Sequence, residues 1–154
     1  MIKKILIATD GSESAQEAVE FGLELAAEQH AEPVFIHVAP AIDTLPIPGF
    51  GIGGPAAMPH VLSEHDRSPL ERATELAARK GLDAKTKLVV GHPAKEIVHH
   101  ADAIDADLIV VGSHGHGVIA SALIGSVSLG VLHEARRTVM VVRGVEVPAV
   151  VAAV

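Results

Sequence analysis

The stretch VVGSHGHGVIASALIGSVS, residues 110–128, joins an apolar run to a helical pattern and sets Gly112, Gly115, Gly125 and Ser126 around the junction. Glycines at a strand-to-helix junction let backbone N–H groups approach an anion closely, and a hydroxyl beside the helix start adds a donor. The arrangement G-x-x-G, nine residues, then G-S is neither the P-loop nor the G-x-G-x-x-G dinucleotide fingerprint. No lysine follows these glycines to reach a terminal phosphate, which excludes a P-loop nucleoside triphosphatase. Glycine placement alone is equally consistent with a phosphate cradle and with a loop whose glycines merely satisfy turns of positive φ.

Outward from this junction the chain alternates short apolar runs with helical patterns, the signature of a parallel sheet covered by helices. Residues 5–8, 34–38, 108–111 and 139–142 are nearly continuous apolar runs, as strands buried on both faces should be. Residues 85–90 differ, because Lys85 and Lys87 alternate with other residues and are the kind of charge that blunts an exposed edge. Five strands joined by right-handed crossovers predict an α/β, doubly wound five-stranded parallel sheet.

Four helices are expected between them. The first covers residues 14–29, with Ser14 and Glu17 as a capping box and Ala15, Ala18, Val19, Gly22, Leu25 and Ala26 as its apolar stripe. The second covers residues 69–79, with Ser68 as cap, Pro69 at the first position and Gly81 past the end. The third starts at Pro93 behind His92 and buries Ala94, Ile97, Val98 and Ala101. The fourth starts near Gly125 and is expected to bury Val127, Val131, Leu132 and Ala135, with Arg136 and Arg137 near its negative end. Residues 41–67 are rich in Gly and Pro around PIPGFGIGGP and predict a mobile loop, with a short helical turn near residues 60–66. One domain is thus expected over residues 1–144, followed by an apolar tail, residues 145–154.

Composition narrows the function. The chain has 154 residues, 49% of them hydrophobic, and no cysteine, so neither a disulfide framework nor a thiol nucleophile is available. The apolar run after Lys4 is too short for a signal segment, and none approaches membrane-spanning length, so a cytoplasmic protein without membrane contact is expected. A net charge of −7 without a basic cluster argues against nucleic acid as partner. The same charge means that a bound phosphate must be met by local dipoles or by a metal ion.

The G-x-x-G-x9-G-S spacing, together with KKILIATDGSESA at residues 3–15, HV at 37–38, GHPAKEIV from Gly91 and VMVVR from Val139, resembles the universal stress protein family of the ATP-binding type. The resemblance covers most of the chain outside residues 41–67. Members of the family often carry Pro just before the last strand, where this chain has Thr138. The resemblance implies a Rossmann-like, adenine-nucleotide-hydrolase-like fold with strand order 3-2-1-4-5, and the lysine-marked edge supports that order independently. Winding then reverses between the first and fourth strands, and ligands in open α/β sheets bind outside the carboxyl ends of strands at such a point.

The resemblance further implies ATP, ADP or AMP as ligand, together with Mg²⁺. Gly112 and Gly115 would open the turn, and Gly125, Ser126 and Val127 would aim backbone N–H groups, with the Ser126 hydroxyl, at phosphate. Ser128 is either a second hydroxyl for the phosphate or a helix-surface residue. Thr9 and Asp10 end the first strand; Asp10 is either an acceptor for ribose or adenine groups or a turn former in Asp-Gly-Ser. Val38 would offer backbone groups to adenine, and His116 a donor to phosphate. His114 with His116, and His99 with His100, lack the spacing of metal ligands, so no metal site is expected from the histidines. No serine has a recognisable His and Asp arrangement, and the glycine loop lacks an evident base with a metal-holding carboxylate. Nucleotide binding without efficient turnover is the expected function, with nucleotide occupancy biasing assembly or partner contacts. A slow ATPase and a ligand-free structural dimer are the alternatives. The last strand, Val139, Met140, Val141 and Val142, has no protecting charge before Arg143 and is expected to pair with a second copy in a homodimer.

Overall fold

The computed structural model describes residues 1–43, 58–59, 61–114 and 124–143. Gly115, His116, the centre of the Gly- and Pro-rich stretch, and residues 144–154 lie outside the described residues.

The elements run β1 (Lys4–Ala8), α1 (Glu13–Gln29), β2 (Glu32–Ala39), β3 (Ile42–Asp43), β4 (Met58–Pro59), α2 (Glu64–Arg79), β5 (Lys85–Val90), α3 (Pro93–Ala103), β6 (Leu108–Gly112), α4 (Ser126–Glu134) and β7 (Thr138–Val142). Five strands form one parallel sheet ordered β5-β2-β1-β6-β7. Counted along the chain, these five stand in the expected order 3-2-1-4-5. Thr138, where the resemblance would often place proline, is the first residue of β7 and pairs with Leu108. The ends of the expected loop are structured: Ile42 pairs with Pro59 and Asp43 with Met58 in a short antiparallel ladder.

Side-chain alternation along the central strands builds two cores. Ile5, Ile7, Phe35, Leu108 and Val110 pack beneath α1 and α2, while Leu6, Val34, Ile36, Ile109 and Val111 pack beneath α3 and α4. Strands buried on both faces need apolar residues at every position, which is why these runs are continuous. At the edge, Lys85 is exposed and its ammonium pairs with Glu32 of β2 at 2.5 Å, which holds the Glu32 carboxyl below its ordinary range.

Three helices depart from the sequence expectation in informative ways. In α1 the cap is Ser12, not Ser14: the Ser12 hydroxyl accepts from Ala15 N at 3.3 Å, because Gly11 at φ 79° turns the chain one step earlier. The buried stripe includes Leu23, whereas Leu25 lies at its half-buried border.

Helix α2 begins at Glu64 and runs through Pro69. The Asp66 carboxylate accepts from Ser63 N at 2.7 Å and Ser63 Oγ at 2.8 Å, a cap strong enough to nucleate the turn upstream of the proline. Proline there removes only one N–H, early in the helix, and its ring is buried against the core.

Helix α3 begins at Pro93, with His92 at the N-cap position, and buries the four residues expected of it. In α4 only Ser128 and Val131 are buried; Val127 and Leu132 are 37% and 41% exposed, and Ala135 is the half-buried C-cap. Arg137 turns from α4 to the end of α3, donating to Asp102 Oδ1 at 3.0 Å, Asp105 Oδ1 at 2.7 Å and the Ala106 carbonyl at 3.0 Å.

Candidate functional site

The sheet order places the carboxyl ends of β1 and β6 side by side, with helices leaving toward opposite faces. A crevice between diverging connections is the usual ligand position in an open α/β sheet.

On the β1 side the chain is tightly ordered by its own side chains. Thr9 is buried, its N–H extends the ladder to the Ile36 carbonyl at 2.9 Å, and its Oγ1 accepts from Gly11 N at 3.2 Å. Asp10 Oδ1 accepts from Ser12 N at 2.9 Å, so the turn-forming role is realised. His37, near the end of β2, reaches the Thr9 carbonyl through Nδ1 at 2.8 Å. A carbonyl only accepts, so Nδ1 carries the proton, and the neighbouring strand end is tied to the Thr9–Asp10 turn. Val38 follows in β2, paired with Val89, with its half-buried side chain against the α3/α4 core.

On the β6 side Gly112 plays a packing role. A β-carbon there would lie 2.6 Å from the Ser14 carbonyl oxygen and 2.7 Å from Ser14 Oγ, so the missing side chain admits the first turn of α1. Gly112 is the last residue of β6 and does not need positive φ. The Ser14 hydroxyl, released from capping, instead accepts from His114 N at 3.2 Å and lies 3.4 Å from Ser113 Oγ. Ser113 is buried, and its hydroxyl is 2.9 Å from His114 Nδ1. Sequence reasoning missed this Ser14–Ser113–His114 linkage; the signal available was a serine on each side of the switch point.

Helix α4 opens toward the same crevice. Gly125 is its N-cap at φ −71° and ψ 160°, a conformation open to any residue, and its N–H donates to the Ser113 carbonyl at 2.6 Å. Gly125 therefore fixes where the helix starts, and its N–H is engaged within the protein, contrary to the donor role expected of it. The next N–H groups, of Ser126 and Val127, have no acceptor inside the helix, and both residues are exposed. Ser128 is neither a surface residue nor a hydroxyl aimed at the crevice: it is 4% exposed and donates to the Gly112 carbonyl at 2.5 Å. The structure thus brings Thr9, Asp10, Gly112, Ser126 and Val127 to one end of the sheet.

The arrangement is that of a doubly wound α/β domain with an anion-compatible helix start at its switch point. The chain belongs to the universal stress protein family, whose model matches residues 1–143. It is 34% identical over 144 residues to a universal stress protein of Methanocaldococcus jannaschii, covering 93% of this chain and 83% of the relative. It is likewise 34% identical over 148 residues to universal stress protein YxiE of Bacillus subtilis, covering 93% of this chain and all of the relative. Among solved structures, a universal stress protein in complex with cAMP superposes with a TM-score of 0.67 at 28% identity, over 92% of this chain and 97% of that one. Among the described residues no helix is long and apolar enough to cross a membrane.

Proposed function

We propose that this chain binds an adenine nucleotide at the carboxyl ends of β1 and β6, and that occupancy biases its self-association or partner contacts in a cytoplasmic stress response. The observation that carries the reading is the start of α4. Ser126 and Val127 are exposed at the switch point and their N–H groups have no acceptor inside the helix, so a phosphate there would gain from both hydrogen bonds and the helix dipole. The likeness to a universal stress protein crystallised with cAMP supports adenine as the base. Asp10 would receive ribose or adenine donors, and Val38 would offer backbone groups to the base.

ATP with Mg²⁺ is the form we assign. The cation would supply charge neutralisation of the phosphates, and Asp10 is the carboxylate of the β1 end that would help to hold it. The chain's own part is to position and desolvate. Ser14, Ser113 and His114 bond to one another beside the end of β6, an arrangement that orders this side of the site.

Thermal unfolding with AMP, ADP, ATP and ATP–Mg²⁺, with GTP as control, tests the reading. Ligand at 100 times its dissociation constant adds about 2.7 kcal/mol, on the order of 5–10 °C for a chain of this size. A flat response to every adenine nucleotide at millimolar concentration sinks it. Phosphate release from ATP–Mg²⁺ at high protein concentration separates binding from slow hydrolysis.

A further inference from the structure

The outer face of the Asp10 turn is covered by a residue from a different helix. A β-carbon on Gly11 would overlap Nη2 of Arg72 and lie 3.4 Å from Arg72 Cζ and from Pro69 Cγ, so the guanidinium points its Nη2 end into the space beside Gly11. Gly11 is one of the few residues at positive φ, 79°, and it sits between Asp10 and the α1 cap Ser12. Three side-chain-to-backbone bonds wind this turn from within: Gly11 N to Thr9 Oγ1, Ser12 N to Asp10 Oδ1 and Ala15 N to Ser12 Oγ. Each is an ordinary bond within the turn itself. From outside, His37 holds the Thr9 carbonyl on the β2 side and Arg72 meets Gly11 on the α2 side, where it borders a cleft of about 230 Å³ between α1 and α2 whose upper end is formed by Thr9 and Gly11. Among the described residues Arg72 has no ion-pair partner to draw it elsewhere.

We infer that Arg72 is a positioning residue, whose guanidinium packed on Gly11 holds the Asp10 turn in the geometry that receives the nucleoside end of the ligand; the inference rests on the adenine-nucleotide reading. The guanidinium ends in a rigid fork whose Nη2 fills the space a β-carbon would take, and a lysine's flexible single ammonium does not present that shape, so shape and not charge alone sets the effect. The arrangement also makes α2 a mechanical neighbour of the site, since displacing Asp10 displaces the surface on which Arg72 rests.

The test compares wild type, Arg72→Ala and Arg72→Lys, each alone and with Asp10→Ala, by calorimetric titration with adenosine and AMP and by amide hydrogen exchange without ligand. Arg72→Ala should weaken adenosine and AMP by the same factor, about tenfold, the scale of coupling between residues in contact. It should add nothing in the Asp10→Ala background, and Arg72→Lys should not restore affinity. Exchange at the Ser12 amide should accelerate while the helical amides of α3 stay unchanged. Loss of AMP affinity with adenosine spared would make Arg72 a direct phosphate contact and overturn the inference. So would full additivity with Asp10→Ala, rescue by lysine, or an unchanged Ser12 amide. Failure of the wild type to bind either ligand overturns the nucleotide reading, and the Ser12 amide then decides by itself whether Arg72 holds the turn.

Discussion

The Ser128 hydroxyl donates to the Gly112 carbonyl at 2.5 Å, tying the first turn of α4 to the last residue of β6 across 16 positions of sequence. The ends of the two elements are fixed to each other by this bond and by Gly125 N to the Ser113 carbonyl. The helix start that faces the crevice is thereby placed by the strand, whatever path the intervening chain follows.

Ser128→Ala and Ser126→Ala should therefore separate stability from binding. Ser128 is buried, so its loss should cost about 1–2 kcal/mol and lower Tm by a few degrees. Ser126 is exposed at the helix start; Ser126→Ala should leave stability within about 0.5 kcal/mol and weaken nucleotide binding by about 0.5–1.5 kcal/mol. Urea unfolding and calorimetric titration on both variants check the pair. Equal effects of the two variants on Tm would refute the division of roles.

Gly112→Ala should destabilise more than its size suggests. The new methyl would meet backbone, the Ser14 carbonyl at 2.6 Å, which cannot rotate away as a side-chain end can. Overpacking of this kind costs about 1–3 kcal/mol. Gly125→Ser, at φ −71° and in an N-cap position that serine favours, should leave the backbone conformation unchanged. Unfolding of the two variants in parallel checks the contrast, and a benign Gly112→Ala would mean that α1 and β6 slide apart at little cost.

How far the sequence reaches is clearest in this region. Strand positions were legible because fully buried strands need unbroken apolar runs; the strand order came from the family resemblance, with Lys85 and Lys87 at an exposed edge in support of it. The four buried residues of α3 followed from the helical period alone. Caps were harder, since Ser12, Ser14, Ser63 and Ser68 are chemically equivalent and only tertiary contact decides among them. Ser14 is drawn to Ser113, and Asp66 makes Ser63 the better start. The glycines of the site were legible as important but not in role. Gly112 serves packing, Gly11 carries positive φ, and Gly125 marks a helix start. Arg72 was invisible, because nothing local in α2 signals a contact with a turn 61 positions earlier.

Asp107 gives a prediction in pH. One carboxylate oxygen accepts from Lys3 N at 2.8 Å and Lys4 N at 3.0 Å, pinning the start of β6 to the start of β1. Chiefly through these two bonds its pKa is lowered in the folded protein. A lowered folded value means that the stabilisation is complete above the unfolded aspartate pKa of about 3.9 and is lost as pH falls through the folded one. Asp107→Asn should lower Tm at pH 7, and the gap to wild type should narrow as pH drops below about 4. A gap that stays constant from pH 7 to acid unfolding would show that the charge on Asp107 plays no part.

Among the described residues β7 is the last strand of the sheet, and a homodimer through its outer edge is the expectation to test. Val142 turns its carbonyl inward to Ser113 N at 2.8 Å, so by strand alternation the N–H and C=O of Val141 point outward, where a second copy can pair with them. The side chains of Val139 and Val141 pack toward the α3/α4 core and those of Met140 and Val142 toward the α1/α2 core. A lysine at 141 would thus perturb the core as well as the edge. Val141→Pro is the sharper variant, because proline removes an outward donor while leaving the inward ladder bonds to β6 in place. The wild type should run at twice 15.9 kDa by light scattering, and Val141→Pro should shift it to a folded monomer with helical circular dichroism retained. A wild type that stays monomeric at tens of micromolar, with and without ATP–Mg²⁺, would rule out pairing through β7 and leave its outward groups to water.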